Sequence, residues 1–272
     1  MEPEEQMSAN EQFSDGAAYE RLMGRWSRAV GSGFLDWCAL APRLAWLDVG
    51  CGNGAFTEEI VRRASPSKVA GVDPAPAQLD FARHRPGAAG ATFVIGDAQA
   101  LPFEDGSFDA AVMALVIAFI PDPAKAMLEM RRVTRPGGTV AAYMWDLPRG
   151  GLPLAPVYRA LAEIGHGAPM PPSAAVSERE ALAGLWHRAG LDDVETAVFR
   201  IEVRFDSFED FWQSSTLPVG PQAERIRSLS PQARDALRSR LMAALPGAAD
   251  GSISYDAVAN AVRGRVPQQL GR

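Results

Sequence analysis

Apolar positions recur along this chain with two different periods, and the period switches back and forth through the first half. Trp26, Val30, Phe34 and Cys38 form one stripe at i+4 spacing, so Tyr19 to Leu40 reads as helical; Gly24, Gly31 and Gly33 weaken it and predict two short helices. Leu44 to Val49 is a short apolar run ending in a glycine-rich turn, which reads as a buried strand. A helix is expected over Phe56 to Val61, a strand over Lys68 to Val72, and a helix from Pro76 to Arg83 with proline in its first turn. Thr92 to Ile95 and Ala110 to Leu115 predict further strands. Pro123 to Thr134 predicts a helix stopped by Pro136-Gly137-Gly138, and Thr139 to Trp145 a fifth strand. Strands alternating with helices imply βαβ units with right-handed crossovers and a mostly parallel sheet.

Beyond Asp146 the alternation loosens. Prolines surround a helix-like Val157 to Ile164. Ser177 to Ala189 predicts a helix with Ser177 as N-cap, Glu180 completing a capping box and Gly190 ending it. Val194 to Phe205 alternates like a strand, and Phe208 to Leu245 is helical and amphipathic. Ser252 to Arg263 is assigned as a final strand, because Ile253 and Tyr255 alternate with small polar residues. Residues 1–16 are polar and acidic without a period and are expected to fray.

Composition narrows the function classes. The 272 residues are 47% hydrophobic and 22% charged, as in soluble globular proteins. The net charge of −6 makes nucleic acid a poor partner, since phosphate neutralisation needs a basic face. Two cysteines, Cys38 and Cys51, supply neither a disulfide framework nor a zinc site, and the expected compartment is the reducing cytoplasm. The acidic start lacks the apolar stretch of a secretory leader, and the most apolar run, Ala110 to Pro121, is too short to span a bilayer.

The chemistry concentrates in Asp48-Val49-Gly50-Cys51-Gly52-Asn53-Gly54. Glycines at alternate positions allow a tight turn and leave no Cβ in a ligand's way. The turn feeds a helix N-terminus, and at the switch point of a doubly wound sheet this makes a cleft for a nucleotide-like ligand. Gly50-x-Gly52-x-x-Ala55 satisfies the dinucleotide fingerprint. Three features favour S-adenosylmethionine instead: Asp48, which would repel a pyrophosphate but can hold the loop or accept from an ammonium group; Gly54, which continues the alternation; and a second acidic signal, Gly96-Asp97-Ala98-Gln99-Ala100-Leu101-Pro102-Phe103. Asp73 ends the second strand 73 − 54 = 19 residues past Gly54, where a carboxylate can accept from both ribose hydroxyls or cap the next helix before Pro74. Asp97 can accept from an adenine amine, with the Ala98 N–H on a ring nitrogen, or close an Asx-turn.

Together these residues resemble the class I S-adenosylmethionine-dependent methyltransferases, specifically the type 11 methyltransferase domain, over about residues 44–146. The resemblance is carried by Leu47 to Gly54, Gly71-Val72-Asp73, Gly96 to Phe103, Phe108-Asp109 and Arg132-Val133-Thr134-Arg135-Pro136-Gly137-Gly138. Tyr19 to Ser27 and Trp145-Asp146 also look like a bacterial branch of that family. The resemblance implies an α/β, Rossmann-like, doubly wound seven-stranded sheet with its last strand antiparallel, an N-terminal helical arm (1–43), a cofactor-binding core (44–146) and a completing part (147–272) with helical lid insertions at about 147–176 and 206–250, all in one structural domain. It implies a cofactor set of Asp48, Gly50, Cys51, Gly52, Asp73, Pro74, Asp97, Ala98 and Ala114, the last through its backbone carbonyl. Tyr19 and Arg25 of the arm join this set, with Tyr19 or Trp26 facing the sulfonium and Arg25 the cofactor carboxylate; the alternative is Trp26 in a helix core and Arg25 in solvent. Phe119, Trp145 and Trp212 are expected on the acceptor side, and Ala118-Phe119 stands where many relatives carry a His pair.

Methyl transfer from such a cofactor is an in-line displacement, which positioning alone can drive, so the catalytic residue is left unassigned. Of the three histidines, His84 and His187 read as structural or exposed, and His166 is the one candidate base. An Asn/Asp-Pro-Pro-Tyr/Phe run is missing after the fourth strand, which with the acidity points to a small-molecule acceptor; the oligomeric state expected is monomer or homodimer. The alternatives are an NAD(P)-dependent oxidoreductase and a catalytically silent binder of the same cofactor.

Overall fold

The structure is a computed structural model describing residues 16–217, 221–245 and 247–268; the acidic stretch at 1–15, expected to fray, lies outside the described residues. The elements run α1 (Gly16–Cys38), β1 (Ala45–Val49), α2 (Ala55–Ala64), β2 (Lys68–Asp73), α3 (Pro76–Arg83), β3 (Thr92–Ile95), β4 (Phe108–Ala114), α4 (Pro123–Val133), β5 (Thr134–Trp145), α5 (Ala155–Glu163), α6 (Arg179–Arg188), β6 (Asp192–Phe205), α7 (Phe208–Ser215), α8 (Pro221–Arg227), α9 (Pro231–Ala244) and β7 (Ile253–Arg265). One seven-stranded sheet has the order β3-β2-β1-β4-β5-β7-β6. Its β3-β2-β1-β4-β5 part is parallel, and β7 runs antiparallel to β5. This is the expected doubly wound, Rossmann-like architecture with its last strand reversed.

The chain divides into two compact units. The larger comprises Ser27–Leu152, Pro171–Ile201 and Ala257–Arg272. Its centre is alanine-rich: Ala110, Ala111, Ala141 and Ala142 are fully buried on β4 and β5, where helices cover both faces and side chains must be small. The indole N–H of buried Trp186 on α6 donates to the Val140 carbonyl at 2.9 Å, tying that helix to β5.

The smaller unit comprises Met1–Trp26, Pro153–Met170 and Glu202–Asp256. Aromatic rings build its core: Trp26 meets Phe205 edge-on at 5.5 Å, and Phe205 meets Phe211 at 5.2 Å. Trp26 is thus helix core, the alternative weighed for it. Trp212 is 7% exposed and lies under the guanidinium groups of Arg234 and Arg238, at 5.6 and 5.5 Å.

Three local expectations need correction. The first helix is continuous through Gly24, Gly31 and Gly33, because tertiary packing overrides propensity. A Cβ on Gly31 would stand 3.1 Å from both the Phe56 ring and the Tyr143 hydroxyl, so that glycine lets α1 approach its neighbours closely. Pro136-Gly137-Gly138 lies inside the start of β5, not between helix and strand, and the pairing of β4 with β5 shifts register between Phe108 and Ala110 to absorb it. Ser177 does not cap α6. Its hydroxyl donates to the Ala174 carbonyl at 2.6 Å and accepts the Leu147 N–H at 3.1 Å, closing a 3₁₀ turn, and Glu178 occupies the N-cap position without a side-chain bond.

The close approach at Gly31 is testable. Gly31→Val would overpack the contact with Phe56 and Tyr143, a change that costs about 1–3 kcal/mol. Scanning calorimetry of the variant is expected to show a melting temperature lower by several degrees, at about 2–4 °C per kcal/mol for a chain of this size; an unchanged transition would show that the contact yields freely.

Candidate functional site

The site grows from the carboxyl ends of β1, β2, β3 and β4, all in the larger unit. Where β1 ends, the strand order reverses, with β2 on one side and β4 on the other. A sheet of this kind leaves a crevice at that point. The Gly50 and Cys51 N–H groups both donate to the Val72 carbonyl, at 2.8 and 3.1 Å, so the turn stays anchored to β2 as it leaves β1. Gly50 has φ +73° and Gly52 φ +49°. A Cβ on Gly50 would collide with Val116 at 2.6 Å, so this glycine is required by packing. At Gly52 nothing lies within 4 Å of where a Cβ would stand, so the backbone opens onto free space there.

Asp73, half-buried at the end of β2, organises this turn. Its Oδ2 accepts the Gly52 N–H and its Oδ1 the Ala75 N–H, both at 2.9 Å. Burial pushes its carboxyl up, and the two backbone donors oppose that shift. Its bond to Ala75 closes the turn that precedes α3, but Asp73 is not the helix N-cap: Ala75 holds that position without a side-chain bond, and Pro76 occupies the first turn as expected. Pro74 beside it is exposed. Arg85 supports the turn from below, donating from Nε to the Asn53 carbonyl at 3.1 Å and pairing with Glu58 at 2.7 Å.

Asp48 is fully buried. Its Oδ2 accepts the hydroxyl of Thr57 on α2 at 2.7 Å, while its Oδ1 has no hydrogen-bond partner among the described residues. Burial pushes its carboxyl up to about 7, against the Thr57 hydrogen bond, and the nearby Asp73 charge adds to the rise. The hydrogen bond Asp48 makes runs to α2, past the glycine turn. Cys51 is buried against Gly71, and burial raises its thiol well above the ordinary range, so it stays protonated.

The remaining predicted residues divide by unit. Asp97 is exposed after β3 and accepts the Gln99 N–H at 2.8 Å, so it does close an Asx-turn; half-buried Ala98 follows it. Ala114 is the last residue of β4, and Leu115 after it adopts a left-handed backbone (φ +62°), which turns the chain sharply at the crevice. Phe119 is half-buried in a 3₁₀ turn over Ile117–Phe119. Trp145 ends β5, is 3% exposed, and its indole N–H has no partner among the described residues. Trp212 and His166 belong to the smaller unit, His166 exposed just past α5. Tyr19 and Arg25 fall within α1, but their side chains lie outside what the structure describes. The sequence reading does not single out Thr57 or Val116. Their signals, a hydroxyl nine residues past Asp48 and a branched residue just past β4, become meaningful only once the turn is folded over them.

An acid-flanked glycine turn at the switch point of a parallel sheet with a reversed last strand defines a domain of the class I methyltransferase type. Residues 47–142 match the family described as Methyltransferase domain. A demethylmenaquinone methyltransferase of Renibacterium salmoninarum is 35% identical over 171 residues, 58% of this chain and 65% of that protein. The chloroplastic 2-methyl-6-phytyl-1,4-hydroquinone methyltransferase 2 of Oryza sativa subsp. japonica is 39% identical over 116 residues, 42% of this chain and 33% of that protein. The chain therefore spans less than two thirds of the length of these curated relatives. Among solved structures, the YcgJ protein of Bacillus subtilis aligns with a TM-score of 0.60 at 18% identity, covering 89% of this chain and all of that one. Among the described residues, no helix is long and apolar enough to cross a membrane, and no His/Cys/Asp/Glu group could hold a metal ion.

The buried Asp48 carboxyl makes stability depend on pH. An unfolded chain loses this proton near 3.8, whereas the native chain holds it to about 7. Between those values the unfolded state carries fewer protons, so raising the pH through the window favours unfolding. Asp48→Asn removes that dependence. Its melting temperature relative to wild type is expected to climb steadily from pH 4 to 7 and level off above; parallel curves across the window would refute the buried-proton assignment.

Proposed function

We propose that the protein transfers a methyl group from S-adenosylmethionine to a small-molecule acceptor. The observation that carries this reading is the open backbone at Gly52 beside the Asp73 carboxylate. It offers room for a ligand chain next to an acceptor suited to a diol. When bound, the cofactor supplies an activated methyl on a cationic sulfur that leaves readily. The chain's own residues hold and orient. Gly50 and Gly52 line the turn, Asp73 accepts from the ribose hydroxyls with the lone pairs its backbone donors leave, Asp97 and the Ala98 N–H read the base, and the Ala114 carbonyl receives the ammonium group. In-line displacement gains about 7–11 kcal/mol from alignment alone, so a general base is not required and His166 is not needed as one.

The dinucleotide reading is disfavoured by the turn itself. A pyrophosphate needs free backbone N–H groups, yet those of Gly50, Cys51 and Gly52 are taken by Val72 and Asp73, and the Asp73 carboxylate flanks the loop. The names of the relatives, hydroquinone and demethylmenaquinone methyltransferases among them, make phenolic and quinone-like molecules the first acceptors to test. Phe119 and Trp145 are assigned to the acceptor side, as is Trp212, whose role is decided by kinetics rather than by position. The net charge of −6 and two free, buried cysteines fit a cytoplasmic protein without nucleic-acid partners.

Calorimetry with S-adenosylhomocysteine and NADH tests cofactor choice, and product mass spectrometry over phenols, amines and quinone-like acceptors separates an enzyme from a silent binder. Two substitutions probe the cradle. Asp73→Asn keeps an oxygen for one backbone donor but loses charge-assisted bonds of about 1.5–3 kcal/mol, so S-adenosylhomocysteine affinity should drop about tenfold to a hundredfold; unchanged affinity sinks the ribose assignment. Gly52→Val fills the open space, so it should abolish the thermal stabilisation that S-adenosylhomocysteine gives the wild type. A variant still stabilised by that ligand would place the ligand elsewhere.

A further inference from the structure

The Asp97-Ala98 turn belongs to a segment, Gly96 to Gly106, that leaves β3 and crosses to β4. Its first residue is held by β2, the Gly96 N–H donating to the Asp73 carbonyl at 3.2 Å, and the rest is gripped by α4. Arg132 donates from Nη2 to the Leu101 carbonyl at 3.0 Å and from Nη1 to the Phe103 carbonyl and the Asp105 carboxylate, both at 2.8 Å. Glu129, one turn earlier, accepts from Arg132 Nε and Nη2 at 2.8 Å each, and its Oε2 also accepts the Leu101 N–H at 2.8 Å. One ion pair therefore holds both backbone groups of Leu101, whose side chain is buried. The Arg132 carbonyl accepts the Gly106 N–H at 2.9 Å, fixing the far end of the segment. At the other end of the helix, the Asp122 N–H donates to Gln99 Oε1, and Gln99 Nε2 donates to the Asp97 carboxylate, both at 3.2 Å. Asp97 itself is exposed and has no core packing to hold it.

We infer that Glu129 and Arg132 are positioning residues for recognition of the adenine base, holding the Asp97-Ala98 turn where it discriminates a 6-aminopurine. The inference rests on the S-adenosylmethionine reading above. Neither residue touches the ligand; each acts through the segment. A planar guanidinium can span two carbonyls two residues apart while pairing with a carboxylate, and a lysine ammonium cannot reproduce that fork.

The test compares S-adenosylhomocysteine with S-inosylhomocysteine, which replaces the 6-amino donor by an oxygen, using calorimetry on the full chain. Wild type should prefer the adenine ligand by about tenfold or more, the effect of losing one well-made polar contact. In Arg132→Ala the preference should shrink to about threefold or less, with affinity for the inosine ligand little changed. Arg132→Lys, which keeps the charge, should lose the preference as well, and it decides the matter if the alanine variant does not fold. A role limited to stability would lower the melting temperature but leave the ratio of the two affinities at its wild-type value; that result overturns the inference. A wild type that binds S-adenosylhomocysteine without preferring it to the inosine ligand overturns the inference while leaving the cofactor reading in place. A wild type that binds neither ligand overturns both.

Discussion

The hydrogen bond from the Gly52 N–H to Asp73 is the contact on which the rest of the site depends. It joins the turn after β1 to the end of β2 across a gap that sheet pairing no longer bridges, since the last paired residues are Val49 and Val72. A turn with three left-handed glycines, Gly50, Gly52 and Gly54, has few alternative partners for its backbone. Once Gly52 is committed to Asp73, and Gly50 and Cys51 to Val72, the chain has one way forward into α2. The same bond fixes the Asp73 rotamer, so the acceptor that would meet a ribose is preorganised by the loop that would meet the rest of the ligand. A carboxylate locked in this way loses little side-chain freedom on binding.

Asp48 and Thr57 serve the turn from behind. Burying a carboxyl with one hydrogen bond and an unpartnered second oxygen is costly, and the molecule lowers that cost by keeping the proton to about pH 7. The gain is rigidity: the end of β1 and the first turns of α2 are joined by a side-chain bond inside the core, so the turn between them cannot hinge at either end. Thr57 is thus as much a part of the site as the glycines, although it does not line the crevice.

The order of strands and helices through β5, the glycine turn and the acids after β2 and β3 were legible in the sequence because each leaves a local signature: a change of hydrophobic period, glycines at alternate positions, an acid at a strand end. What was not legible was tertiary. The close approach of α1 at Gly31 depends on the Phe56 and Tyr143 side chains, which would crowd a Cβ there at 3.1 Å. Ser177 and Glu180 have the spacing of a capping box, but the Ser177 hydroxyl is taken by Leu147 and Ala174, thirty and three residues away in sequence. Arg132 was visible only as part of a motif and Glu129 not at all, since their partners at Leu101 and Phe103 come from a different strand connection.

The electrostatics of the site suit the proposed chemistry in a particular way. A cationic ligand is attracted by carboxylates, but attraction that is as strong in the ground state as in the transition state lowers dissociation without raising the rate, and methyl transfer disperses the sulfonium charge as it proceeds. Charges aimed at the sulfur would therefore slow the step they seem to assist. Here Asp73 and Asp97 are assigned to ribose and base. Asp48, on the strand that leads into the turn, is sealed in the core and partly protonated near neutral pH, which weakens its field just where a third negative charge would hold the cation most tightly. On the proposed reading, Asp73 and Asp97 would bind the parts of the ligand that do not react, leaving alignment to drive the part that does.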